Sequence, residues 1–186
     1  MYRGRGCVDA FSYAERALDP DRPATGSACT DLGALYDEHA SAVYRLLLAM
    51  LGSADDAQDA LSEVFLKAAR QDLRRIREPR AYLLASARHQ AISMLRRRRR
   101  ETPVAFDDLL FDTGGLDPDR AILATRIAAA LRELPPEQRE VIVLKVYEEL
   151  TFADIAAITR TPPNTVASRY RYAVEKLRRA LEGLLP

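Results

Sequence analysis

Residues 134–179 read LPPEQREVIVLKVYEELTFADIAAITRTPPNTVASRYRYAVEKLRR. Within this stretch Leu150-Thr151-Phe152-Ala153-Asp154-Ile155 has the form of a helix start. Thr151 can cap, Asp154 stands three residues on as in a capping box, and Leu150 can staple to Ile155. Ile155, Ala156 and Ile158 then mark a helix of about two turns. A second start follows at once, with Thr161 as cap and Pro162 where a first-turn proline is tolerated. Two helices joined by so short a turn form a helix-turn-helix, whose second helix is shaped for the DNA major groove. An ordinary helical hairpin has the same spacing, so the decision rests on the rest of the chain.

Working outward, the 186 residues leave room for one or two small domains. No Val/Ile/Thr-rich alternating run exceeds a few residues, which makes helix the expected element throughout. No apolar stretch approaches the roughly 20 residues that span a bilayer, so membrane insertion is not expected. The N-terminus lacks the apolar run of a signal peptide, and the expected location is the cytoplasm. Cys7 and Cys29 fall in the N-terminal segment, where a disulfide is not expected in a reducing compartment. His39 and His89 form no paired ligand spacing, so neither metal nor other cofactor is expected. No nucleophile–base pair or Gly-rich phosphate loop argues for an enzyme or a small-molecule substrate.

The formal charge of +1 conceals segregated blocks. Residues 31–70 carry 3 Lys and Arg against 7 Asp and Glu, and residues 71–100 reverse this to 10 against 2. Residues 101–119 hold 6 acids and no cation, and residues 120–186 carry 11 cations against 8 acids. Free-standing DNA binders are usually basic overall. Alternating blocks instead suit a chain that meets DNA in one place and a basic protein surface in another.

In chain order, residues 1–30 hold few large apolar side chains and are expected to form a disordered extension. From Asp31, Leu32, Leu35, Tyr36, Val43, Leu46, Leu47 and Met50 recur at helical steps until Gly52 ends the run. Ser53 or Asp55 can cap the next helix, whose apolar stripe is Ala57, Ala60, Leu61, Val64, Phe65 and Ala68. Asp56, Asp59 and Glu63, with Ser62, stand on another face. On spacing alone such a face is more often solvated surface, with docking to a basic partner as the alternative.

A loop with Arg74, Arg75 and Arg77, broken by Pro79, leads to a helix from about Arg80 to Arg99. Tyr82, Leu83, Leu84, Ala87, Ala91, Ile92 and Leu95 supply its buried side. His89, Ser93, Arg96 and Arg100 share a face, with Arg88 and Arg97 alongside. The five arginines Arg96 to Arg100 repel one another unless an anion takes up the charge. With aromatic residues interleaved, they favour nucleic acid over a solvated helix end. Residues 101–118 lose periodicity at Pro103, Gly114, Gly115 and Pro118 and form an acidic linker at a domain boundary. Helices at about Pro118–Glu133 and from Pro136 precede the helix-turn-helix. The last helix runs to about Leu181, with Val166, Tyr170, Ala173, Val174 and Leu177 on its buried side. The fold class is all-α: two small helical domains (31–100 and 119–186), the second holding the helix-turn-helix, joined by an acidic flexible linker.

On these residues the chain resembles bacterial RNA polymerase sigma factors of the extracytoplasmic-function group. The first half carries the likeness in LYDEH (Leu35–His39), VYRL (Val43–Leu46), DAQDALSEVFLKA (Asp56–Ala68) and RAYLLASARHQAISMLRRR (Arg80–Arg98). The second half carries it in LPPEQREVIVLK (Leu134–Lys145), TFADIAAI (Thr151–Ile158) and NTVASRY (Asn164–Tyr170). The resemblance implies that the chain binds core RNA polymerase and directs transcription initiation at promoter DNA. Asp56, Asp59, Ser62 and Glu63 would meet the clamp helices of the β′ subunit, and the second domain would meet the β flap. Arg77, Arg80, Tyr82, Arg88, His89, Ser93, Arg96, Arg97 and Arg100 would read and help melt the −10 element. Asn164, Thr165, Ser168, Arg169, Arg171 and Tyr172 would read the −35 element. An anti-sigma factor is a further partner that the resemblance allows.

The chain departs from the family pattern at His89, where asparagine is usual, and at Tyr82, where tryptophan stands at or near. Arg160 replaces a usual turn glycine. It requires either a turn outside the left-handed region or the cost of entering it. The competing reading is a helix-turn-helix regulator of the response-regulator type. Such a regulator shares the pattern around Thr151–Arg169 but does not bind core polymerase as a sigma subunit.

Overall fold

The computed structural model describes residues 31–73, 76–98 and 118–182, and among these the regular elements are helices. Helix α1 (Leu32–Leu51) begins where Asp31, in an extended conformation, accepts the Gly33 N–H at 2.9 Å. It ends at Gly52, whose φ of 70° belongs to the left-handed region and lets its N–H close on the Leu48 carbonyl at 2.8 Å. Helix α2 (Ala54–Ala69) is capped by Ser53, which accepts the Asp56 N–H at 3.3 Å. Its six-residue apolar stripe is buried as its spacing predicts. Helix α3 (Pro79–Arg98) starts with Pro79 itself. The three helices close around Leu35, Val43, Leu46, Leu47, Val64, Leu83 and Leu84. Burying each such side chain is worth roughly 1.5–3 kcal/mol relative to leaving it in water.

The second half begins with α4 (Pro118–Arg132) and α5 (Pro136–Ile142). Helix α5 continues without a break into one wider π turn, Val143–Tyr147. Then come α6 (Phe152–Thr159) and α7 (Pro163–Ala180). The capping box at α6 forms as expected: the Asp154 N–H donates to the Thr151 hydroxyl at 3.1 Å and the Thr151 N–H to the Asp154 carboxylate at 3.0 Å.

Two expectations are corrected in the last helix. Thr161 does not cap α7; its hydroxyl donates to the Thr159 carbonyl at 3.2 Å. Helix α7 starts instead on the backbone, with the Thr165 and Val166 N–H groups closing on the Pro162 carbonyl. Val174, placed on the buried side, is exposed, because Val166, Tyr170, Ala173 and Leu177 already fill the contact stripe.

The two halves touch. The core built by α1–α3 takes in Val141 and Leu144 from α5 and its π turn, Ile155, Ala156 and Ile158 from α6, and Val166 from α7. A smaller cluster of Leu131, Leu134, Ile142 and Ala173 ties α4, α5 and α7 together. The buried Arg139 locks the junction through four carbonyls. It donates to Leu131 at 2.8 Å, Arg132 at 2.8 Å and Leu134 at 2.9 Å, and across to Ala49 in the last turns of α1 at 2.9 Å. No described helix is long and apolar enough to cross a membrane. The expected linker over 101–118 and the extension over 1–30 lie outside the described residues but for Pro118, which opens α4.

Candidate nucleic-acid interface

Three surfaces carry the residues singled out in the sequence. On α2, Asp59, Ser62 and Glu63 are exposed along one face, and Asp56 is half-buried at the capped first turn. Ser62 directs its hydroxyl back to the Gln58 carbonyl at 3.1 Å. Leu66, which the sequence reading passed over, is 52% exposed on the same face. Tyr36 of α1, also exposed, packs edge-on against the Phe65 ring at 4.9 Å. An acidic stripe with an exposed leucine can dock a partner helix that is basic and apolar in turn. The signal in the sequence was Leu66 lying off the 57-60-61-64-65-68 stripe.

On α3, His89, Ser93, Arg96 and Arg97 are exposed, as is Arg77 just before the helix. Tyr82 is 6% exposed, so its ring lies in the core and offers no face to a base in this arrangement. Burial raises its phenol above the ordinary range, against a hydrogen bond with Ser86. Arg74, Arg75 and Arg100 lie outside the described residues. His89 is held below its ordinary pKa, first by partial desolvation and then by the cations Lys67, Arg96, Arg160 and Arg88.

Arg88 is half-buried, and Arg80, with 45% of its side chain exposed, is nonetheless paired. Arg80 donates through Nη2 to Oε2 of Glu148 at 2.8 Å and to the Glu148 carbonyl at 2.9 Å. Arg45 of α1 grips Oε1 of the same carboxylate through Nε at 3.0 Å and Nη2 at 2.9 Å. Arg88 donates through Nε to Oε1 of Glu140 at 2.6 Å. Glu148 has 1% of its side chain exposed, and Glu140 is buried as well. Burial pushes the Glu140 carboxyl above its ordinary range, opposed by Arg88 and Arg169. Glu140, Leu144 and Glu148 recur at four-residue steps through a buried leucine. Acids on an apolar stripe signal that carboxylates go inside, and a buried carboxylate needs a cation. The sequence could not say which cation.

On α7, Asn164, Thr165, Arg171 and Tyr172 are exposed and Ser168 is half-buried, at spacings that put them on one side of the helix. Tyr172 is 55% exposed, and the Arg171 guanidinium lies 5.2 Å from its ring centre. Arg169 is half-buried and reaches the Thr161 hydroxyl at 3.4 Å. The end of α7 that a major groove would meet is therefore open. Among the described residues no group of three or more His, Cys, Asp or Glu could hold a metal ion.

These features define a two-part helical protein with a basic helix in one half and an open helix-turn-helix in the other. The family model for sigma-70 region 2 matches residues 35–101, and that for sigma-70 region 4 matches residues 124–177. The ECF RNA polymerase sigma factor SigL of Mycobacterium tuberculosis (strain H37Rv) is 34% identical over 157 residues, covering 81% of this chain and 89% of that protein. Among solved structures, the sigma factor RpoE of Bartonella quintana, in complex with the anti-sigma factor NepR, superposes with a TM-score of 0.62 at 26% identity, covering 77% of this chain and 92% of that one. CnrH in complex with the cytosolic domain of CnrY shares the fold, with a TM-score of 0.59 at 20% identity over 94% of this chain and 97% of that one. The chain belongs to the extracytoplasmic-function group of RNA polymerase sigma factors. Sigma factors are in general DNA-recognition subunits and not enzymes.

Proposed function

We propose that the chain joins core RNA polymerase in the cytoplasm and directs promoter recognition through three separate surfaces, catalysing nothing itself. The observation that carries this reading is the presence of both sigma regions, in order, in one chain, with exposed functional faces on α2 and α7. Residues 31–100 form the half that binds core and reads the −10 element, and residues 119–186 the half that reads the −35 element, with 101–118 linking them. Asp56, Asp59, Ser62 and Glu63 supply the docking face for the β′ clamp helices, with Leu66 as an apolar anchor between the charges. Arg77, His89, Ser93, Arg96 and Arg97 supply a cationic track for the displaced strand, joined by Arg80 and Arg88 when these are released. Asn164, Thr165, Ser168, Arg171 and Tyr172 face the −35 groove, with Arg169 at the turn. The polymerase holds the DNA in place, so α7 needs only modest charge of its own. An anti-sigma factor is a further partner in this reading, as found for the Bartonella protein. A stand-alone regulator would account for α6 and α7 but would leave α1–α3 without a role.

The test is transcription from a promoter template by purified protein added to sigma-free core polymerase. The wild-type chain is expected to bind core and start promoter-dependent transcripts. Asp59→Lys with Glu63→Lys is expected to weaken core binding by about 100-fold or more, since like-charge juxtaposition costs several kcal/mol. Helical content should not change, because both side chains are exposed. Failure of the wild type to bind core or to start transcripts would overturn the proposed function. Normal core affinity in the double variant would return the carboxylates to plain solvated surface.

A further inference from the structure

Lys67 is the one cation on α2, in the last turn of a helix that otherwise carries Asp55, Asp56, Asp59 and Glu63. Glu63 stands four residues before it, the spacing at which a helix closes an ion pair of its own. Among the described residues Lys67 takes a different partner and donates through Nζ to Oε1 of Gln90 on α3, at 2.5 Å. Gln90 is half-buried on the side where α2 packs against α3, and helical steps align it with Ser93 and Arg97 of the DNA-facing set. We propose that Lys67 and Gln90 together set a base preference in the −10 element. Lys67 is a positioning residue that fixes the Gln90 amide with its N–H2 outward. Gln90 then favours a base with a keto oxygen, thymine or guanine, over one with an amino group, adenine or cytosine. The inference rests on the reading of α3 as the helix that meets the −10 element.

A side-chain amide carries an acceptor at one end and two donors at the other, whereas an ammonium carries donors alone. Only the Gln90 oxygen can therefore face Lys67. The reverse setting would lose a charge-assisted hydrogen bond and press N–H2 against the ammonium. The Lys67 charge also bears on His89, the preceding residue, which places the ammonium beside the exposed face of α3. With its oxygen engaged, Gln90 has N–H donors left for a ligand. Bases displaced from a duplex show the edges they use in pairing. There thymine and guanine carry O4 and O6 as acceptors, while adenine and cytosine carry N6 and N4 as donors. An outward N–H2 matches the first two and is left facing donors on the second two. Ser93, on the same side of α3, both donates and accepts and so draws no such distinction.

The test uses the full chain assembled with core polymerase, transcribing barcoded templates randomised across the −10 element. The readout is the ratio of keto to amino bases at each position among the transcribed templates. A variant that merely folds or binds core less well lowers all transcripts alike and leaves that ratio in place. Wild type is expected to favour keto bases by about tenfold at one position, the size of one well-made base contact. Gln90→Ala is expected to lose the preference there and keep it elsewhere. In Lys67→Glu the new carboxylate accepts from the amide and turns its oxygen outward, which should reverse the preference at that position. Lys67→Arg, again donors alone, should keep it, and Gln90→Glu, an acceptor alone, should reverse it without altering α2. If no position responds to Gln90→Ala, its role in reading the base is overturned. A ratio equal to wild type in Lys67→Glu, or in Lys67→Met should the first not assemble with core, would overturn the positioning by Lys67. Arg96→Ala with Arg97→Ala separates these failures from that of the underlying reading. If that variant weakens promoter binding while Gln90→Ala shifts no ratio, α3 meets the DNA and only the pair is wrong. If neither has an effect, the reading of α3 fails too.

Discussion

Arg160 sits at φ 52°, ψ 44°, squarely in the left-handed region, at the end of α6 where its N–H closes on the Ala156 carbonyl. Of the two options open to an arginine in a glycine's usual place, the chain takes the costly one. A side chain there crowds the following carbonyl by about 1–2 kcal/mol, part of which glycine returns through its freer unfolded state. Arg160→Gly is therefore expected to stabilise the fold by about 0.5–1 kcal/mol, seen as a higher urea midpoint with unchanged slope. An unchanged or lower midpoint would mean that the guanidinium makes a compensating contact. Tyr82 teaches the complementary lesson. Its type suggested base stacking and its position in the apolar stripe suggested the core, and packing at 6% exposure took the second role.

At the scale of elements, capping and periodicity were strong predictors. Gly52, Ser53 and the Thr151–Asp154 box fix helix ends locally, so their chemistry is readable from neighbouring residues alone. The start of α7 was misread because Thr161-Pro162-Pro163 offers two prolines and one hydroxyl, and the backbone of Pro162 closed the turn without the hydroxyl. The π turn at Val143–Tyr147 has no such local signature; it ends at Glu148, whose N–H closes on the Val143 carbonyl and whose carboxylate meets Arg45 and Arg80. For α3, Arg96→Ala with Arg97→Ala should weaken promoter binding by the assembled polymerase. The slope of log affinity against log salt should flatten by about 0.9 for each phosphate that is no longer neutralised. An unaltered slope would leave these arginines as solvated surface.

At the scale of the whole molecule, charge decides how the fold responds to acid. His39 is buried on α1 and held below its ordinary pKa by burial first, with Glu38 opposing and Arg80 reinforcing. His89 is depressed by desolvation and by cations from α2, α3 and the turn after α6. Both bind a proton less readily folded than unfolded, so the stability they confer is fully present above their unfolded value of about 6.5. It is lost as pH falls through that value towards the folded ones. Thermal midpoints are expected to drop between about pH 7 and pH 5. His89→Asn should shallow the drop, and an identical pH profile in that variant would show that His89 does not titrate against the fold.

Much of this chain is written in its sequence because it is local. Helix positions, caps, the helix-turn-helix and the segregated charge blocks depend on residues within a turn or two of each other, and periodicity exposes them. The same holds for the acidic face of α2 and the outward face of α7, where solvent needs no partner to be specified. Which cation answers which buried acid is not local: Arg45 lies 103 residues from Glu148, Arg80 lies 68, and Arg88 lies 52 from Glu140. Only tertiary structure brings them together, because a carboxylate leaving water accepts any guanidinium that packing delivers. The joining of Leu144 and Ile155 to the core of α1–α3 was likewise decided in three dimensions, since an apolar stripe specifies burial and not what buries it.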